Sequence, residues 1–140
     1  MEYRRFGEKI VMRVDRGEDI VEKIKELCSL ENITLGSVSG IGAVSSAEIG
    51  IFNVDTKEYF SKTFEGLYEV SNLTGNISEM NGETYLHLHI TIGDVKENKV
   101  YAGHLNRAVV GATAEIVISV IDGELERQKD ENIGLNVFKF

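Results

Sequence analysis

The sequence predicts an α+β domain, a largely antiparallel β-sheet with one long helix packed on a face. Three observations carry that expectation. Short runs of alternating or β-branched apolar residues recur from Lys9 to the C-terminus, broken by Gly, Asn and Asp and never by proline, which is absent. Only one stretch, Glu18 to Glu31, repeats its apolar residues at spacings of three and four. Asn81-Gly82 stands between two extended runs, the strongest short hairpin signal a sequence carries.

Each element can be justified in order. Lys9 to Val14 reads as a strand, broken by Asp15-Arg16-Gly17, of which Asp15 or Gly17 can start the helix. Along the helix Ile20, Val21, Ile24, Leu27 and Cys28 form the apolar stripe, and Glu22, Lys23, Lys25 and Glu26 form a solvated face. Ile33 to Val44 contains Ser39-Gly40-Ile41-Gly42. No GxGxxG or P-loop pattern completes that piece and no helix follows, so it reads as a bulged strand approached closely by another backbone. Ala47 to Asn53 and Tyr59 to Glu65 are strands around the turn Asp55-Thr56-Lys57. Gly66 interrupts, and Leu67 to Ile77 is a further extended run. Tyr85 to Ile92 and Lys99 to Leu105 follow, then a connection, Asn106 to Gly111. Ala112 to Ile121 is a buried strand bounded by Asp122-Gly123, with Glu115 solvated at its mouth. Leu125 to Asp130 and Leu135 to Phe140 are short. No linker or repeat divides the chain, so residues 1–140 are expected to form one domain.

Chemistry concentrates in Tyr85-Leu86-His87-Leu88-His89-Ile90-Thr91-Ile92. The chain has only 3 histidines, and the third is His104. Strand side chains alternate faces, so His87 and His89 project together, roughly 6–7 Å apart, opposite Leu86, Leu88, Ile90 and Ile92. If Lys99 to Leu105 returns as a hairpin strand, pairing indices that sum to 191 put His104 opposite His87. A sum of 193 puts it opposite His89, and 192 sends it to the wrong face. Three neutral imidazoles with an open fourth position suit zinc or a similar divalent ion. A turn at Asn81-Gly82 sets Asn76 opposite His87 and Thr74 opposite His89, where they could hydrogen-bond the imidazoles.

Bulk properties exclude several classes. The net charge of −8 opposes domain-wide attraction to DNA or an anionic membrane. No apolar run approaches the ~20 residues of a membrane span. The N-terminal residues show no signal-peptide pattern, and a single cysteine fits a reducing compartment, so a cytoplasmic location is expected. Cys28 itself reads as core filler.

In sequence order the chain resembles the PPC domain, the plant and prokaryote conserved domain. The likeness rests on an early Arg before the first strand and helix, Ser39-Gly40-Ile41-Gly42-Ala43, Gly66-Leu67-Tyr68-Glu69-Val70 and Leu73-Thr74-Gly75-Asn76. Leu86-His87-Leu88-His89, Gly103-His104-Leu105 and Thr113-Ala114-Glu115 complete it. The resemblance implies an antiparallel sheet with a flanking helix and a homotrimer. For prokaryotic members it also implies a metal, often zinc, held by residues matching His87, His89 and His104. Plant members carry the domain behind AT-hooks in DNA-binding proteins. This chain keeps the histidines, lacks the hook and has Leu67 where plant members have Arg. The fold is also distantly similar to acetolactate decarboxylase, which uses a three-histidine zinc site.

Three functions are in view: a metal-binding oligomeric module with a regulatory role, a metal-dependent lyase or hydrolase acting on a small oxygenated substrate, and a DNA-binding protein. For the second, Arg107 (as an anion clamp), Glu69, Glu115 and Asn106 are the candidate helpers, though no motif places them at the metal. DNA binding is disfavoured by the charge.

Overall fold

The computed structural model describes residues 1–140. Eight strands and one helix follow each other as β1 (Glu2–Phe6), β2 (Lys9–Asp15), α1 (Ile20–Glu31), β3 (Gly36–Asn53), β4 (Glu58–Met80), β5 (Glu83–Asp94), β6 (Lys99–Val120), β7 (Arg127–Asp130) and β8 (Leu135–Phe138). The α+β expectation holds, with every pairing between strands of the main sheet antiparallel. The main sheet runs β1-β2-β6-β3-β4-β5, and β6 also pairs with β5. Strands β3, β4, β5 and β6 therefore close a circuit, which protects edges that an open sheet would expose. The histidine strand β5 lies between β4 and β6, as the sequence predicts. No helix is long and apolar enough to cross a membrane.

Three breaks expected from the sequence are absent, and each has the same cause. Ser45, Gly66 and Asn106 to Gly111 lie inside continuous strands β3, β4 and β6. Where a break was expected, the strands carry register shifts, at Val44/Ser46 between β3 and β4 and at Glu48/Ile49 between β3 and β6. A bulge absorbs an extra residue and bends the strand without ending it, so weak local propensity becomes curvature. Gly42 marks such a place. Its φ is +159°, and a Cβ there would come within 2.7 Å of the Ala114 Cα on β6. The glycines of Ser39-Gly40-Ile41-Gly42 thus serve close backbone approach, as the sequence reading holds.

The helix begins at Ile20, later than expected, because Asp19 and neither Asp15 nor Gly17 is its N-cap. The Asp19 carboxylate accepts from the Val21 and Glu22 amides. Glu18 is engaged elsewhere: its carboxylate takes hydrogen bonds from the N-terminal amine and the Asp15 amide. Asn32 in the left-handed region ends the helix and returns its amide to the Cys28 carbonyl. Ile20, Val21, Ile24, Leu27 and Cys28 all lie in one apolar core with Ile10, Met12 and Val14 of β2 and Leu88, Ile90 and Ile92 of β5. Burial pushes the Cys28 thiol up to about 12, so it is an inert packing group at neutral pH.

A strand absent from the sequence reading, β1, pairs with β2 at the sheet edge. Its five residues are all exposed, and a strand exposed on both faces has no hydrophobic alternation to read. The C-terminal strands β7 and β8 form a separate two-stranded ribbon, anchored to β4 by a bridge between Glu79 and Glu126.

Candidate metal centre

The site is built by two hairpins. Met80 pairs with Glu83 across Asn81-Gly82, whose φ angles of 55° and 78° are those of a type I′ turn. That pairing places Asn76 opposite His87 and Thr74 opposite His89. The second hairpin settles which register the sequence left open: Asp94 pairs with Lys99, and His89 faces His104. The cause lies in the turn. The Asp94 carboxylate accepts from the Lys96 and Glu97 amides, and Asn98 adopts a left-handed conformation at φ 52°, closing the loop in four residues.

Gly75 allows the strands to meet closely behind the histidines. A Cβ there would run into the His87 carbonyl oxygen and lie 2.8 Å from the Leu88 Cα. Leu88 and Ile90 anchor the opposite face of β5 in the core, which holds the imidazoles on a rigid support.

His87, His89 and His104 converge. Their ligand nitrogens all lie within 4.8 Å of one another. The His87 Nε2 and His104 Nδ1 atoms are 3.2 Å apart, with their rings stacked at 5.1 Å between centroids. His87 and His104 are half-buried and line a pocket, while His89 is exposed, so the cluster stays accessible. Burial, followed by the charges of His104, Arg127 and His89, holds His87 below the ordinary histidine range. Burial, then His89, does the same for His104. Both shifts favour the neutral imidazole, the form that binds a cation.

The candidate helpers fall in different places. Glu69 pairs with Gly93, four residues from His89 and about 13 Å along the strand. Glu115 is exposed opposite Arg13 on β2 and Ile41 on β3, in the far half of β6. Neither is brought to the histidines. Arg107 is 65% exposed and its Nε pairs with Asp19 at 3.2 Å, which draws it toward the helix N-terminus. Asn106 does reach the pocket. Its Oδ1 accepts from the Tyr59 hydroxyl at 2.6 Å, and its amide donates to Glu48, which also accepts from Ser61. Those two bonds, Ser61 first, hold the Glu48 carboxyl below its ordinary range.

Sequence reasoning missed two members of this pocket, Tyr59 and Arg127. Tyr59 extends from β4 to within 6.4 Å of the His104 ring. Arg127 comes from β7, and its Nη2 donates to the Asn76 side chain at 2.8 Å. Asn76 therefore braces an arginine where the sequence suggests an imidazole partner. No local pattern could have found Arg127: it is one of two basic residues in a four-residue strand.

A closed antiparallel sheet bearing three convergent imidazoles defines a class: small β-rich domains with a site able to hold a metal ion. Residues 1–122 match the family described as Plants and Prokaryotes Conserved (PCC) domain, and the chain belongs to that family. Among solved structures, a protein of Bacteroides thetaiotaomicron described as a candidate DNA-binding protein is 37% identical, with 99% of this chain and 96% of that chain covered at a TM-score of 0.95. A metal-containing protein of Archaeoglobus fulgidus is 33% identical, with coverages of 99% and 97% and a TM-score of 0.88. Acetolactate decarboxylase of Bacillus subtilis shares the fold at 16% identity and a TM-score of 0.57, covering 88% of this chain and 57% of its own. No curated protein matches the sequence.

Proposed function

We propose that the protein is a divalent-metal-binding domain, with zinc held by His87, His89 and His104. The observation that carries this reading is the convergence of three ring nitrogens within 4.8 Å on two paired strands. The donor set fits. Tetrahedral zinc with Zn–N bonds of about 2.0–2.1 Å separates its nitrogens by about 3.3 Å, and the His87–His104 pair stands 3.2 Å apart. An all-imidazole set with no carboxylate in the cluster favours zinc over magnesium or calcium, which prefer oxygen. The metal-containing relative from Archaeoglobus fulgidus supports the same reading.

Three protein ligands leave a fourth position, where a bound zinc supplies Lewis acidity to an oxygen donor. The chain's own contribution is to orient the imidazoles from a packed strand and, for His87 and His104, to favour the neutral form by burial. The assembly that accompanies this reading is a homotrimer. Its support is the family likeness and an exposed apolar patch of Ile51, Phe60 and Val100, at 66%, 55% and 69% exposure. A DNA-binding role, suggested by the description of the Bacteroides relative, is opposed by the net charge of −8.

Metal analysis of protein purified without added metal tests the site. One equivalent of zinc per chain is expected, and the double variant His87→Ala/His89→Ala should retain none. Unchanged stoichiometry in that variant would refute the ligand assignment. Sedimentation equilibrium addresses assembly separately, since a monomer would remove the trimer and leave the metal site standing.

A further inference from the structure

Arg127 is the only charged side chain in the interior, at 7% exposure. Its three hydrogen bonds all go to neutral acceptors. Nε donates to Ser78 Oγ at 2.8 Å, Nη1 to the Asn136 carbonyl at 2.7 Å and Nη2 to Asn76 Oδ1 at 2.8 Å. Its Cζ lies 4.7 Å from the Tyr85 ring centroid and 4.2 Å from that of Phe138. None of the protein's ion pairs includes it. A guanidinium has five N–H donors, and these bonds leave two free, one on each terminal nitrogen. A buried cation without a carboxylate is costly to keep, and an anionic ligand would balance it.

The space for such a ligand is present. Arg127 lines a cavity of about 280 Å³ together with His87, His104, Tyr59 and Asn106, closed on its apolar sides by residues such as Leu86 and Leu135. One planar cation, hydroxyl and amide groups and apolar walls are the lining expected of a small organic acid site. The guanidinium fork matches the two oxygens of a carboxylate.

We propose that this cavity binds a small organic carboxylate, gripped by Arg127 while a second oxygen of the same molecule faces the three histidines. The second contact rests on the metal reading above; the first does not. Arg127 lies outside residues 1–122 that carry the family match, so the C-terminal ribbon supplies the specificity element to a site otherwise built by the family sheet. Phosphate shares the negative charge, but one guanidinium and neutral neighbours fall short of the donors its four oxygens would need.

Acetate, lactate and inorganic phosphate are the probes, titrated into metal-free and zinc-loaded protein and followed by amide NMR shifts. Acetate and lactate should both perturb the cavity residues in the metal-free protein, and zinc loading should tighten lactate more than acetate. Arg127→Lys should weaken both by roughly tenfold or more, because the fork is lost. Leu135→Trp fills the cavity with Arg127 intact. It should abolish carboxylate binding while leaving zinc stoichiometry unchanged, and it decides the matter if Arg127→Lys fails to fold. Carboxylate binding undiminished in Leu135→Trp, no binding by the wild-type protein, or tighter binding of phosphate would overturn the proposal. A protein that binds acetate through Arg127 but takes up no zinc would overturn the metal reading alone.

Discussion

The two halves of β6 share one neighbour, β3, and differ in the other. From Lys99 to His104 the strand pairs with β5, and from Thr113 to Ser119 it pairs with β2. The far half alternates buried Ala114, Ile116 and Ile118 with more accessible Glu115, Val117 and Ser119, and so contributes to the core on one face. The near half is less regular in burial, and it carries His104 to the pocket. The register shifts around Val44 and Glu48 on β3 fall between these halves. One continuous strand can thus serve packing at one end and a histidine cluster at the other, provided bulges re-aim its side chains between them.

That contrast can be broken or sharpened by experiment. The largest expected effect is His104→Ala in the near half. Removing a proposed direct ligand should cost more than the roughly 100-fold loss in metal affinity seen when outer partners are removed, with little change in metal-free stability. Competition titration against a chromogenic zinc chelator measures it. In the far half Ile116→Ala should do the reverse, lowering stability by about 2–5 kcal/mol in urea unfolding while metal stoichiometry stays intact. A shared outcome for the two variants would show that the halves are not independent.

Acid should separate them as well. His87 and His104 both titrate below the ordinary histidine value. The unfolded chain therefore takes up protons on these residues before the folded chain does. Their contribution to metal-free stability is complete above about pH 6.5 and is lost as pH falls through the lowered folded values. Zinc affinity should weaken over the same acidic range as protons compete for the imidazoles. His104→Ala should flatten this part of the stability profile, whereas Ile116→Ala should shift the whole curve without changing its slope. The smallest effects belong to Asp19→Ala and Glu115→Ala. Loss of the helix cap should cost about 1 kcal/mol in thermal unfolding. Exposed Glu115 should change stability by less than about 0.5 kcal/mol and leave zinc binding as it was.

His87 and His89 sharing a face was legible because strand alternation is a property of adjacent residues. The β4–β5 register was legible for a similar reason, since Asn81-Gly82 selects one turn geometry and the turn sets the pairing. The helix face was legible from Ile20, Ile24 and Leu27, and its start was misplaced because Asp15, Gly17 and Asp19 all offer a plausible cap. The breaks expected at Ser45, Gly66 and Asn106 show the opposite limit. Local sequence marks a weak point, while neighbouring strands decide whether it ends the strand or bends it.

The sequence by itself determined that two imidazoles project from one strand face and that a third could join them in either of two registers. Tertiary structure chose between those registers, through an Asp94-capped turn and closure of the sheet onto β6. It also brought Arg127 from the C-terminal ribbon to Asn76, 51 residues away in the chain. Alternation and turn chemistry act over a few residues and leave a trace in the sequence. The meeting of β7 with β4 depends on the path of the whole chain, and no short window of residues records it.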